Sequence, residues 1–288
     1  MGDAIDPTKS TSLEMNRRAF ASLSVGAAAM TGLAGASAQA QAQFGRPHPP
    51  LVAEDDPSIT IEHVQLRRPD ATVAAYAAYP ATVRANTPGV VVSMHIWGPD
   101  AQMRDVVRRF AKAGYCAIVP DLFSRFAAPN GDGSTDVDEF RPFAQKLTRK
   151  QYGGDLRAGA LHLLSKAPHA KRGVIGFCMG GHLALEQAID NADVFDAVAP
   201  FYGAVKDIDP LEVHIPVCGS YGERDSSIPA DDVRTRKNAL RVRNDIRIYG
   251  TAGHAFFDDT RPAYVAAAAE DAWKRTLIFF KELLELPS

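Results

Sequence analysis

One stretch constrains this chain more than any other: Val174-Ile175-Gly176-Phe177-Cys178-Met179-Gly180-Gly181-His182. A short apolar run leads into Gly-x-Cys-x-Gly-Gly, and the helix formers Leu183-Ala184-Leu185-Glu186-Gln187 follow at once. That order spells strand, very tight turn and helix, with one sulfur at the apex. Glycines two before and two after the apex are required because the chain reverses too sharply there for neighbouring Cβ atoms to fit. A thiol so placed sits at a helix N-terminus, where free N–H groups and the positive dipole end favour thiolate and any developing oxyanion. The plainer reading is a buried cysteine in a glycine-rich turn, since free cysteine often behaves as a small apolar residue.

With 288 residues, the chain is sized for a single α/β domain with one large core. Its net charge of -2 argues against nucleic acid as the main partner. Residues 1–40 stand apart from the rest. The pair Arg17-Arg18, an Ala/Gly-rich stretch from Ala21 to Gly35, and the small-x-small sites Ala36-Ser37-Ala38 and Ala38-Gln39-Ala40 make a secretory signal. Its paired arginines point to the twin-arginine export machinery, and hence to a periplasmic or secreted protein. The apolar run is too short and too rich in glycine and alanine for a stable membrane anchor. Residues 41–58, with Pro47, Pro49, Pro50 and Pro57, read as a flexible lead-in, which leaves 59–288 as the domain. Whether that domain is a monomer or a homodimer is open. Three cysteines are present, so at least one is unpaired within a monomer. Cys116 and Cys218 lie in apolar runs and read as buried spectators. No Cys-x-x-Cys and no His/Cys ligand spacing occurs, so neither a cofactor nor a metal is expected.

Strand and helix patterns alternate along the domain. Residues 61–66 and 72–79 flank the turn signal Arg68-Pro69-Asp70 and read as an antiparallel pair at a sheet edge. Val90 to Met94 is a strand buried on both faces, 100–113 a helix ended by Gly114, and 115–120 a second buried strand. That sequence implies a parallel crossover. Residues 121–149 are the least regular. Asn130 to Asp136 resembles a calcium loop but lacks glycine at the sixth position and an acid at the twelfth, so it reads as a solvated loop. Further helices are expected at 153–167, 231–242 and 262–286, and further strands at 197–203, 216–222 and 245–249. The helix at 231–242 is crowded with Arg234, Arg236, Lys237 and Arg241; without interleaved aromatics this is a solvated face.

Two more residues complete a chemical constellation. After Cys178, the next acid just past a strand is Asp225, and the next base just past a strand is His254. Alone, Asp225 reads equally as a turn residue and His254 as a surface histidine. Nucleophile, acid and histidine in that order, each at a strand end, is the arrangement of an α/β-hydrolase, with cysteine in the usual place of serine. His254 would take the thiol proton and Asp225 would hold its tautomer. Backbone N–H groups of Met179 and Ile96 would form the oxyanion hole.

Gly176-Phe-Cys178-Met-Gly-Gly, Pro120-Asp-Leu-Phe-Ser-Arg125, Phe201-Tyr-Gly203, Tyr221-Gly-Glu-Arg-Asp225 and Ala252-Gly-His254-Ala-Phe-Phe together resemble the dienelactone hydrolase (carboxymethylenebutenolidase) family, over roughly Thr60 to Leu284. The resemblance implies an α/β-hydrolase fold, a mostly parallel doubly wound sheet with helices on both faces. It also implies hydrolysis of a small ester or lactone by Cys178, Asp225 and His254 through an acyl-thioester. By the same resemblance Arg125 binds a substrate carboxylate and Tyr202 lines the pocket, Arg261 reaches inward as in broader members of the family, and His95 and Trp97 are expected as further substrate contacts. Two positions depart from the family pattern. His95 stands where the family has a glutamate that gates thiol ionisation, and Asp258 stands where it has a second carboxylate-binding arginine. Those changes leave a second expectation, a non-catalytic binding protein or thiol sensor on the same fold.

Overall fold

The apolar run ahead of Cys178 is a strand, β5 (Arg172–Phe177), near the middle of an eight-stranded sheet. In the computed structural model, which describes residues 48–134 and 136–285, the strand order is β1-β2-β4-β3-β5-β6-β7-β8. The expected export signal lies outside those residues. Strands β1 (Ile59–Arg67) and β2 (Thr72–Pro80) pair antiparallel at the edge, and β2 runs antiparallel to β4 (Cys116–Pro120). From β4 through β3 (Gly89–Ser93), β5, β6 (Ala197–Phe201), β7 (Ser220–Gly222) and β8 (Arg247–Tyr249) all pairing is parallel. Strands β3, β4 and β6 are buried at every position, which is why each reads as an unbroken apolar run.

Helices cover both faces of the sheet, giving the expected α/β-hydrolase architecture. On one side, Phe110 of α1 (Ala101–Lys112) packs against Trp273 and Phe280 of α6 (Ala266–Leu284), with ring centroids 4.6 and 6.1 Å apart. On the other side lie α3 (Arg149–Lys166) and α4 (Met179–Asp190), joined where Tyr152 donates to Glu186 and Asn191 to the Gly153 carbonyl. A capping box starts α3: Thr148 accepts from the Gln151 backbone, and the Gln151 side chain accepts from Thr148. Helix α5 (Ala230–Ala239) packs on β7. Its cations are engaged locally, Arg234 with Asp231 and Glu223, and Lys237 with the Ile246 carbonyl.

Three local expectations need correction. The irregular stretch holds a helix, α2 (Val137–Ala144), capped by Asp136 and buried through Phe140 and Ala144. Pro142 inside it hides the helical pattern from the sequence. The strand expected from 216 is regular only over Ser220–Gly222, with Val217 making isolated bridges to Val198 and Asn244. Finally, the described part of the lead-in, residues 48–58, is fastened down rather than flexible. Leu51 and Val52 donate their backbone N–H groups to the buried Asp105 carboxylate of α1, at 3.0 and 2.9 Å. Arg108 returns a bond to the Val52 carbonyl at 2.6 Å, and His48 N–H reaches the Asp259 carbonyl at 2.8 Å. A buried carboxylate must be met by donors, and here the lead-in backbone supplies two of them.

Candidate active site

Cys178 is the turn residue between β5 and α4, with φ 55 and ψ -118. A left-handed φ on a non-glycine residue is strained, and it persists only where the surroundings over-determine it. They do so here through glycines. A Cβ on Gly176 would come within 1.9 Å of the Gly180 carbonyl oxygen, and one on Gly180 within 2.1 Å of the Ser93 carbonyl oxygen. One on Gly181 would lie 2.6 Å from the Phe201 carbonyl oxygen. The elbow is therefore wedged between β3 and β6 at van der Waals limits, which pushes the cysteine side chain up at the carboxyl ends of the strands.

Asp225 follows β7 and His254 follows β8, and the structure brings both to the sulfur. His254 Nε2 is 3.1 Å from Cys178 Sγ, and His254 Nδ1 is 2.7 Å from Asp225 Oδ2. The second Asp225 oxygen accepts from the backbone N–H groups of Ser227 and Ile228, at 2.9 and 3.1 Å. Asp225 is thus held from both oxygens and is 5% exposed, while His254 keeps 28% of its side chain open to solvent. Its Nδ1 proton points to the carboxylate, which leaves Nε2 to exchange a proton with the sulfur.

The charges on the pair reinforce one another. Burial pushes the Cys178 thiol up, but the His254 charge and hydrogen bond, then the His95 charge and the Met179 N–H, bring it below its ordinary value. Burial pulls His254 down, but the Cys178 charge and the Asp225 hydrogen bond carry it well above its ordinary value. The resting state these shifts favour is thiolate with imidazolium. Met179 N–H faces the sulfur, and among the described residues neither it nor Ile96 N–H has a carbonyl or side-chain oxygen partner. Met179 N–H is thus a donor at the sulfur, and Ile96 N–H is a donor left without an oxygen acceptor.

The expected pocket residues behave differently from one another. Tyr202, with φ 38, stands with its ring centroid 5.2 Å from that of His254, so it belongs to the site. His95 is buried next to the site. Its Nε2 lies 3.2 Å from Asp100 Oδ1, close enough for ion pairing although poorly aligned for a hydrogen bond, and its Nδ1 accepts from Trp97 N–H at 3.2 Å. Burial disfavours its charged form, but Asp100 and then Asp258 outweigh burial and shift it upward. Trp97 is 5% exposed, edge-on to His95, and covered by the Arg261 guanidinium 3.6 Å above its ring. Arg261 itself is consumed by Asp258 at 2.9 Å, Asp100 at 3.3 Å and the Ser134 carbonyl.

Arg125 departs furthest from expectation. Its guanidinium binds Asp155 at 2.5 and 2.8 Å and Asp70 at 2.8 and 3.2 Å, in a cluster completed by Arg68. Two carboxylates already occupy the fork that was to hold a substrate carboxylate. Asp100 was not singled out from the sequence, where it only begins the expected helix; in the structure it is the N-cap of α1, accepting from Met103 N–H. No group of three or more potential metal ligands occurs among the described residues. A recess of about 480 Å³ lies at the β1 edge between Glu62, Tyr79 and Lys166, and no residue of the Cys178 site lines it.

Residues 73–284 match the model of the dienelactone hydrolase family. An Escherichia coli (strain K12) protein named "Putative carboxymethylenebutenolidase" is 32% identical over 81% of this chain and 90% of its own length. A Yersinia pestis protein of the same name is 36% identical over 72% and 83%. A crystal structure titled as a putative dienelactone hydrolase from Klebsiella pneumoniae superposes with a TM-score of 0.71 at 29% identity, over 78% of this chain and 99% of that one.

Proposed function

Because this chain belongs to the dienelactone hydrolase family and is a hydrolase of that family, we propose that it cleaves carboxylic esters or lactones, with Cys178 as nucleophile, His254 as general base and acid, and Asp225 as the group that orients His254. The observation that carries this reading is the unbroken line from Cys178 Sγ through His254 to Asp225, with contacts of 3.1 and 2.7 Å.

The reaction follows from the proton positions. The Cys178 thiolate attacks the acyl carbon, and the carbonyl electron pair moves onto oxygen, where the N–H groups of Met179 and Ile96 receive it. Collapse of this intermediate expels the alkoxide, which takes the Nε2 proton of His254. An acyl-thioester on Cys178 and a neutral imidazole remain. Water then gives a proton to Nε2 and adds to the thioester carbon, and Cys178 leaves again as thiolate beside a recharged imidazolium. Asp225 keeps Nδ1–H in place throughout, so only Nε2 exchanges protons.

Hydrolysis of 4-nitrophenyl acetate tests the assignment. Cys178→Ala and His254→Ala should each lower kcat/KM by about 10³-fold or more. Undiminished turnover in either variant removes the assignment. Absence of ester turnover in the native protein, with a reversible sulfenic state on Cys178, would turn the reading to the thiol sensor.

A further inference from the structure

The anionic and cationic groups around Cys178 can be tallied by name. The thiolate of Cys178 and the imidazolium of His254 cancel. Among the described residues, Asp225, Asp100 and Asp258 then stand against one guanidinium, that of Arg261, while the nearby Asp259 is matched by Arg109. All three carboxylates are 5% exposed or less, so water screens them poorly. The surplus is two negative charges when His95 is neutral and one when it carries a second proton. Its sign does not depend on the state of His95. Tyr202, whose ring faces His254, feels this surplus: burial first, and then the charges of Asp258, Cys178, Asp259 and Asp225, push its phenol well above the ordinary range.

Both arginines expected from sequence to meet a substrate are engaged by other groups. Arg125 gives all of its guanidinium nitrogens to Asp70 and Asp155, and its side chain is 7% exposed. Arg261 gives its nitrogens to Asp258, Asp100 and the Ser134 carbonyl, and its flat face lies on Trp97. To turn to a substrate, Arg125 would have to give up Asp155, which is fully buried and would keep only Arg68 at 3.2 Å, and Arg261 would have to give up Asp258 and Asp100; a substrate carboxylate that must itself leave water does not offset such an exchange.

We infer that this site selects uncharged acyl groups, so that its substrates are neutral esters or lactones and a carboxylate on the acyl side is rejected. This inference rests on the hydrolase reading above and adds the charge class of the substrate. Like charges brought together in a poorly screened site cost enough to separate the two substrate classes by about tenfold or more.

A matched pair of probes differing in one group reads this directly: mono-(4-nitrophenyl) adipate, whose far end is a carboxylate, and its methyl ester, whose far end is neutral. The expected kcat/KM favours the methyl ester by about tenfold or more at low salt. Added sodium chloride should raise the value for the anionic probe and leave the neutral one unchanged. Asp258→Asn removes one surplus charge and releases Arg261 from its partner, so the preference should narrow by several-fold; should that variant fail to fold, the salt response of the native protein still decides. In Arg125→Gln, a change of the same factor for both probes is expected. Equal turnover of the two probes, preference for the anionic one, or a loss in Arg125→Gln confined to the anionic one would overturn the inference. No turnover of either probe would instead strike the hydrolase reading beneath it.

Discussion

A cysteine becomes a strong nucleophile only when its proton has left, and Cys178 is surrounded by groups that take the proton away. A thiol with an ordinary value near 9.0 would be mostly protonated at neutral pH, but Cys178 lies below that value and His254 well above 6.5. The sign of the pH response follows. As pH falls the thiolate survives below 9.0 until the lowered thiol value is reached, and as pH rises the imidazolium survives above 6.5 until the raised histidine value is reached. Between those limits the pair is charged before substrate arrives. The rate of alkylation by iodoacetamide should therefore reach half its maximum at a pH clearly below 9.0, and His254→Asn should move that midpoint upward by removing the larger of the charges that lower it. A native midpoint at 9.0 or above would contradict the charged resting pair. That Cys178, Asp225 and His254 come together was readable from sequence because each stands just past a strand, at the same end of one sheet. The fate of Arg125 was not, because it depends on Asp155, thirty residues further on, which a helical pattern presents as one polar position among many.

Elements show the same division between local and distant causes. Strands and long helices were legible because burial on two faces or one stripe writes a period into the chain. Helix α2 was not, since eight residues with Pro142 inside carry too little period to read. The fastening of residues 48–58 was not legible either, because prolines and polar residues look alike whether a segment is free or tied down. What ties it is Asp105, 1% exposed, which accepts from Leu51, Val52 and Arg109 and stands 3.5 Å from Arg108. Removing that carboxylate leaves two buried guanidinium groups and two backbone N–H groups short of a partner. Asp105→Ala should cost about 3–5 kcal/mol, the range for breaking a buried ion pair, seen as a lower urea midpoint. Residues 48–58 should at the same time become sites of limited proteolysis under native conditions. A variant that loses stability without exposing that segment would show that Asp105 serves α1 alone.

Across the whole molecule, the sheet places three chemically identical thiols in two different kinds of surroundings. Cys116 on β4 and Cys218 just before β7 are fully buried, as their apolar neighbours in sequence led one to expect, and burial pushes both thiols up to about 11. At neutral pH such thiols are almost wholly protonated, and no reagent reaches them without unfolding. Cys178 differs in every respect that governs reactivity: it is partly exposed, its value is lowered, and it heads a helix. The choice of reagent matters because the site carries surplus negative charge, which would slow an anionic disulfide for reasons unrelated to the thiol. With the neutral reagent 4,4'-dithiodipyridine at pH 7, the native protein should release one equivalent of thiopyridone quickly, and the Cys178→Ala protein none on the same timescale. In guanidinium chloride the counts should rise to the full three cysteines of the sequence and to two in the variant. Rapid release of a second equivalent from the native protein would mean that the sheet around β4 or β7 opens more readily than its packing implies.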